Sequence, residues 1–494
     1  MNMTIASTLG QNETQYATDD CLEEIINNTR AVRQDSEKNR FKLQINNFLA
    51  EVASGSLVIN SDLIGSIEKR IADIDKLMSE QLSLIMHATE FQKIESAWTG
   101  LYKLAQSSVT ENVKYTVLHC TKKELLKDFK SASDFDQSVL FKNIYESEYG
   151  TFGGTPYSAF VGDFYFDNTP QDIDLLEHIS HVAASAHAPF LSAIAPGMLS
   201  MNSFSELPYP RDLAKLFETT DYARWRSFRQ TDDSRYVGLT LPQSLGRIPY
   251  GMKTVPAETF NFEEHISEDN SGKDYLWVNT AFELACRIVD AFEEYGWCAA
   301  IRGVEGGGLV KSLPAYNYTS HTGERLLQCP TEVAISDRRE KELSDLGFIP
   351  LIYCKGTDFA AFFAVQSVNK PRQYNTDQAN ANARLSSQLQ YILATSRFAH
   401  YLKVIVRDKV GSFMSKTECQ TYLQNWIMQY VVASDSAGQD TKARYPLREA
   451  SVEVVEIPGS PGSYRAIAWI KPHFQLEGLS MSLRLVADLP SSVS

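Results

Sequence analysis

Apolar residues recur at helical spacing through much of the first hundred positions. From Asp62 onward Ile67, Ile71, Ile74, Met78, Leu82 and Ile85 step by threes and fours, and Ile94, Trp98, Leu101 and Ala105 continue the stripe. This spacing predicts an amphipathic stretch formed by one long helix or two. Upstream, Leu22, Ile25, Ile26 and Val32 follow Asp19 and Asp20, so a short amphipathic helix capped by the aspartates is expected after a polar tail. A second helical segment is expected over about 41–52.

Between about Val113 and Val368 the pattern changes. Strand-like runs at Tyr115–His119, Ala159–Gly162, Phe190–Ala195, Tyr236–Leu241, Cys298–Arg302, Ile349–Tyr353 and Phe362–Val365 alternate with helical segments, which predicts a mixed α/β region. The stretch from Pro196 to Pro256 is dense in Pro, Gly and aromatic residues and is expected to form irregular but packed loops.

Past Lys370-Pro371 helices are predicted over about 377–406 and 416–432, and then the period drops to two. Three strand runs follow, Leu447–Ile457, Ser463–Lys471 and Leu479–Leu489, with Pro458-Gly459-Ser460-Pro461-Gly462 joining the first two as a hairpin turn. Tyr464, Ala466 and Ala468 alternate with Arg465, Ile467 and Trp469, while Leu479, Met481, Leu483 and Leu485 share one side of the last run. A sheet of two or three strands with an open edge is marginal alone and is a template for strand addition. The alternative is that these strands complete this chain's own sheet. The expected organisation is a tail with N-terminal helices (1–60), a central α/β domain (61–370) and a C-terminal helix-plus-strand domain (371–494).

At 494 residues and 43% apolar, the chain can bury several cores. A formal charge of -14 argues against a nucleic-acid partner, which requires clustered Lys and Arg. The seven cysteines stand apart without a C-x-x-C pair, so they predict small buried hydrophobes in a reducing cytosol. No secretory leader and no membrane-spanning run is expected, so direct membrane insertion is excluded.

The chemistry-bearing candidates are weak. Gly303-Val304-Glu305-Gly306-Gly307-Gly308 precedes Lys311-Ser312, but a phosphate loop needs Lys directly after its last Gly and a helix behind it. A tight glycine turn is expected instead. His178 and His181, with His187 nearby, share a helical stretch with acidic neighbours, yet spacing supplies no third metal ligand. Asp163 and Asp167 flank an aromatic cluster that predicts a strand-edge turn. Asp337 to Glu342 mixes signs at helical spacing, the pattern of a solvated helix face or a subunit contact. No catalytic residue, metal or cofactor is expected.

Longer strings are more specific. Phe152-Gly153-Gly154-Thr155-Pro156-Tyr157, Ala195-Pro196-Gly197, Trp225 through Arg229, Ser234 through Leu239, Leu245 through Gly251, Arg302 through Gly308, Cys329 through Glu332, Asp337 through Leu343, Phe398 through Lys403, Pro446 through Ala450 and Pro472 through Glu477 together resemble the large sheath subunit of type VI secretion systems, the TssC/VipB family. The resemblance covers roughly residue 90 to the end. It implies a multi-domain, structural α/β sheath protomer that pairs with a small sheath subunit (TssB/VipA-like) and polymerises helically around an inner tube (Hcp-like). It implies further that the sheath stands in the bacterial cytoplasm, anchored to an envelope-spanning baseplate complex, and contracts to propel the tube.

The resemblance also implies that Val452, Val454, Tyr464, Ala466, Ala468, Leu479, Met481, Leu483 and Leu485 lie on strands shared between subunits. It further implies that the helix bearing Leu22, Ile25 and Ile26 is captured by a AAA+ recycling unfoldase (ClpV-like). The alternatives are a sheath subunit of another contractile machine, or an α/β nucleotide-binding enzyme using Gly303–Gly308.

Overall fold

The computed structural model describes residues 35–53, 63–267, 272–319, 325–409, 415–434, 436–456, 464–473 and 475. Two compact units divide them. The first joins the N-terminal helices up to Ser83 with Tyr250–His265, and the second holds the rest.

In the first unit α1 (Asp35–Ala53) extends the predicted 41–52 segment at both ends, and α2 (Leu63–Met86) begins. Ser79 and Ser83 are buried on α2. Their hydroxyls accept from the backbone amides of Glu263 (3.3 Å) and His265 (3.0 Å), which satisfies donors in a segment with no ladder of its own. The apolar stripe of α2 stays open, with Ile71 and Leu77 more than half exposed.

In the second unit α3 (Thr89–Ser107) restarts after Ala88 adopts an extended backbone, so the long stripe is two helices; α4 (Lys122–Ser131) follows. The body is a six-stranded mixed sheet of β1 (Phe160–Phe166), β2 (Phe190–Ile194), β3 (Val237–Leu241), β4 (Leu309–Val310), β5 (Ile349–Tyr353) and β6 (Ala360–Phe362). The strands lie in the order β1-β2-β3-β5-β6-β4. The first four in that order run parallel, and β6 and β4 close the sheet antiparallel.

Side chains alternate across this sheet. Phe190 and Ile194 join Leu239 and α5 (Pro170–Ala186) in one core, whereas Leu191 joins Ile349, Leu351 and α6 (Thr280–Tyr295) in the other. Both helices carry local start signals. Thr169 accepts from Asp172 N ahead of Pro170, and Asn279 accepts from Ala281 N, each removing an orphan amide. Gly296 ends α6 with φ near 78°, a conformation glycine adopts without penalty.

Two predicted strands are not strands. Cys298–Arg302 forms no strand, and its Cys298 and Ile301 sit in the second core; burial, rather than ladder pairing, accounts for its apolar character. Tyr115–His119 runs outside any sheet. The helix expected over 377–406 is also two, α8 (Asp377–Leu385) and α9 (Leu389–Asp408), after α7 (Asp337–Asp345) upstream. The break falls where Ser387 O accepts the Ser367 amide at 3.0 Å.

A third core joins α9, α10 (Lys416–Met428) and β7 (Leu447–Glu456), which pairs antiparallel with β8 (Tyr464–Pro472). Trp297 stacks on Phe398 at 4.2 Å within it.

Candidate functional site

The candidate site is the two-stranded sheet near the end of the chain. α10 starts with a capping box, in which Ser415 and Glu418 satisfy each other's amides, and its Leu423 and Ile427 bury against Val452 and Val454 of β7. One sheet face is thereby covered. The opposite face is open, with Ile467 37% and Trp469 52% exposed.

The two edges of this sheet differ in their chemistry. Gln424 on α10 lies along β7 like a short strand: its Oε1 accepts Val452 N at 2.7 Å and its Nε2 donates to Ala450 O at 3.2 Å. Gln420 Oε1 accepts Val454 N at 3.4 Å. The backbone groups of Ala450, Val452 and Val454 therefore point away from β8, and Ala450 C=O and the Val452 and Val454 N–H groups are already occupied. In an antiparallel ladder, opposed residues share one orientation, both facing the partner or both facing away. Ile470, Ala468, Ala466 and Tyr464 lie in phase with them, the first three opposite Ala450, Val452 and Val454 and Tyr464 opposite Glu456. Their amides and carbonyls therefore point outward from β8, and among the described residues no strand takes them up. The sheet has one closed edge and one open edge.

Val452 and Val454 thus form the supporting core of the site, while Tyr464, Ala466 and Ala468 form its rim. The glutamine caps escaped sequence reasoning. Gln420 and Gln424 are two helix-spaced polar residues whose partner is set only by tertiary placement. Leu479, Met481, Leu483 and Leu485, together with Leu22, Ile25 and Ile26, lie outside the described residues.

The other candidates disperse. His178 stacks on Phe129 with centroids 5.1 Å apart, and burial pulls its pKa down. His181 Nδ1 lies 2.7 Å from Asp233 and His187 Nδ1 lies 3.1 Å from Tyr236 Oη. Among the described residues no group of His, Cys, Asp and Glu is arranged to hold a metal. Asp163 is held above the usual carboxylate range by burial, with Asn279 Nδ2 3.4 Å away, whereas the Asp167 carboxylate accepts the Asn168 amide at 2.7 Å. The glycine loop is closed on itself. Gly303 N donates to Phe362 O and Gly308 N to Gly303 O, at 2.7 and 2.8 Å, so these amides face inward rather than toward an anion.

Two sequence readings change, and one buried residue enters that the sequence did not single out. Asp337, Arg338 and Lys341 of α7 are exposed, whereas Arg339 and Glu342 are partly buried and bonded: Arg339 donates to Tyr209 O and Arg211 O, and Glu342 accepts Leu213 N at 2.8 Å. Of six described cysteines only Cys286 and Cys298 are buried; burial pushes their thiols up to about 12 and about 11. Arg229 is buried, and its Nε and Nη2 donate to Val368 O (2.8 Å) and Asp345 O (3.1 Å), tying three distant segments together. Desolvation pulls its pKa to about 10.

Family models of VipB match the chain as the EvpB/VC_A0108 tail sheath N-terminal domain over residues 68–369 and the tail sheath gpW/gp25-like domain over 378–489. A Type VI secretion system sheath protein, TssC1 of Pseudomonas aeruginosa, is 50% identical over 440 residues, covering 88% of each chain. Among solved structures, the anti-feeding prophage baseplate matches with TM-score 0.36 and 9% identity over 76% of this chain and 84% of that one. The contracted anti-feeding prophage helical sheath matches with TM-score 0.30 and 10% identity over 62% and 66%.

Proposed function

Because this chain belongs to the VipB tail-sheath family and is a large subunit of a type VI secretion contractile sheath, we propose that the open edge of β8 is where neighbouring subunits are linked. The supporting observation is the asymmetry of the sheet, in which Gln420 and Gln424 close one edge while the amides of Ala466, Ala468 and Ile470 point out of the other. Strand addition at that edge tethers subunits through backbone hydrogen bonds while their packed bodies rotate past one another. The Leu479–Leu485 run supplies a further strand of the shared sheet.

The family brings a small sheath partner and helical assembly. The finer reading follows the resemblance: an inner tube enclosed by the sheath, a baseplate at its end, a AAA+ unfoldase recognising Leu22, Ile25 and Ile26, and a cytoplasmic location. Among the described residues no helix is long and apolar enough to cross a membrane. We assign a structural role with no catalysis and no nucleotide at Gly303–Gly308, and a domain organisation of 1–60, 61–370 and 371–494.

The test is negative-stain electron microscopy of the chain alone and co-expressed with its small sheath subunit, with and without deletion of Leu479–Ser494. Tubes are expected only from the intact co-expressed pair. Normal tubes from the truncated chain would refute strand sharing by that segment, and soluble monomers from the intact pair would refute sheath assembly.

A further inference from the structure

The sequence from Val139 to Tyr149 contains no Gly or Pro and is expected to wind as one ordinary helix. It does not. Val139–Phe141 is α-helical, but Lys142–Tyr149 is a π-helix, closed by Gly150 N donating to Tyr145 O at 2.5 Å, five residues back. Thr151 Oγ1 donates to Glu146 O, the carbonyl that an α register would offer to Gly150. Eight residues of π-helix are unusual, because this geometry occurs mostly as single turns and is frequently found at functional sites. A contact from outside the segment is needed to hold the register.

That contact comes from α9. Lys403 Nζ stands 3.4 Å from the centroid of the Tyr149 ring and 4.8 Å from that of Tyr145, close enough for the ring faces to attract the cation. One turn further on, Arg407 donates through Nη1 to Thr151 O at 2.5 Å and through Nη2 to Tyr149 O at 2.8 Å. Its planar fork thus takes carbonyls at the end of the π-helix. One turn back, the His400 ring meets that of Tyr149 edge-on with centroids 5.3 Å apart.

Along its length α9 belongs to two cores. Leu389 and Leu393 are buried in the second, whereas Phe398, Leu402, Ile405 and Val406 pack in the third, which also holds β7. The contacts that join this later half of α9 to the π-helix are a cation over rings, an edge-on ring pair and two hydrogen bonds, which can part without opening a core. We propose that Lys142–Tyr149 is a register switch: it is π while Lys403 and Arg407 are seated on it and relaxes to α when they withdraw, so that the third core can shift against the body without melting a helix. Two discrete arrangements of one packed element are what such a device requires, and the coupling is reciprocal, so the π register also holds α9. The inference takes from the sheath reading only its load, a pull on the β8 edge passed through the third core to α9.

Hydrogen exchange of the full-length chain by itself tests it. In Lys403→Met, amides of 143–150 and of 399–407 are expected to exchange about ten-fold faster than in the native chain, yet far slower than in an unstructured peptide, because either register bonds them. Lys403→Arg, whose guanidinium also stacks on aromatic faces, is expected to restore the native rates. Arg407→Gln, which removes the fork from Tyr149 O and Thr151 O, is expected to loosen the same two segments about five-fold. Native rates at 143–150 in both Lys403→Met and Arg407→Gln overturn the inference, since α9 then does not hold the register. Loosening confined to one of the two segments overturns the coupling, and exchange of 143–150 at the rate of an unstructured peptide replaces the second register with a strut that melts. Each of these results leaves the sheath reading standing, because no assembly enters the measurement.

Discussion

The six-stranded body and the two-stranded C-terminal sheet use the same backbone chemistry to different ends. In the body, β2 and β3 are buried at every residue, and helices cover both faces. In the C-terminal sheet one face is covered, one edge is capped by glutamine side chains, and the other edge and face are open. A closed sheet contributes its hydrogen bonds to folding, whereas an open one holds them for a neighbour. Mutations in the two places are therefore expected to separate stability from assembly.

The largest expected loss is in the body. Trp225 is fully buried and stacks on Phe348 at 5.8 Å with an 8° interplanar angle. Trp225→Ala is expected to cost about 3–5 kcal/mol in urea denaturation, through lost burial and the cavity left behind.

The next effect is pH-dependent. His400 is buried with its Nε2 2.9 Å from Ala186 O, and desolvation pulls its pKa from 6.5 to about 4. The unfolded chain takes up this proton below pH 6.5 while the folded chain resists until about 4. Stability is therefore intact above 6.5 and falls as pH drops through that window, by up to about 3 kcal/mol. Glu332 acts in the opposite sense. Burial raises its pKa to about 7, so its contribution is full below 4.5 and is lost as pH rises through 7. The two partly cancel in the native chain. His400→Gln is expected to leave the Glu332 trend alone, so that stability rises on acidification from pH 7 to 5; denaturation at the two pH values checks this.

Gln424→Ala sharpens the comparison by converting the closed edge into an open one. It orphans Val452 N–H and Ala450 C=O and is expected to cost about 1–3 kcal/mol, with increased self-association in sedimentation velocity. Lys471→Ala, which removes an exposed ion pair to Glu449 at 3.1 Å, is expected to change stability by less than about 1 kcal/mol.

Much of this division was legible in the sequence. Alternation at 447–457 and 463–471 located β7 and β8 to within a residue or two, because period two survives wherever one sheet face is buried. The α/β body was legible from its apolar runs, although Cys298–Arg302 shows that a buried run need not pair. The polarity of the C-terminal edge was not legible. It depends on Gln424 reaching 26 and 28 residues along the chain to Ala450 and Val452, contacts that leave no periodic trace. Arg229 was hidden for the same reason, since its acceptors are backbone carbonyls more than a hundred residues away.

The most direct test of the central claim is Ala468→Pro, co-expressed with the small sheath subunit and viewed by negative-stain electron microscopy. Ala468 N–H points away from β7, so proline removes an outward donor without breaking the β7–β8 ladder, as edge strands tolerate. The account predicts a folded, soluble variant with native-like circular dichroism that forms no tubes. Full-length tubes from that variant would contradict the assignment of the β8 edge as the link between subunits.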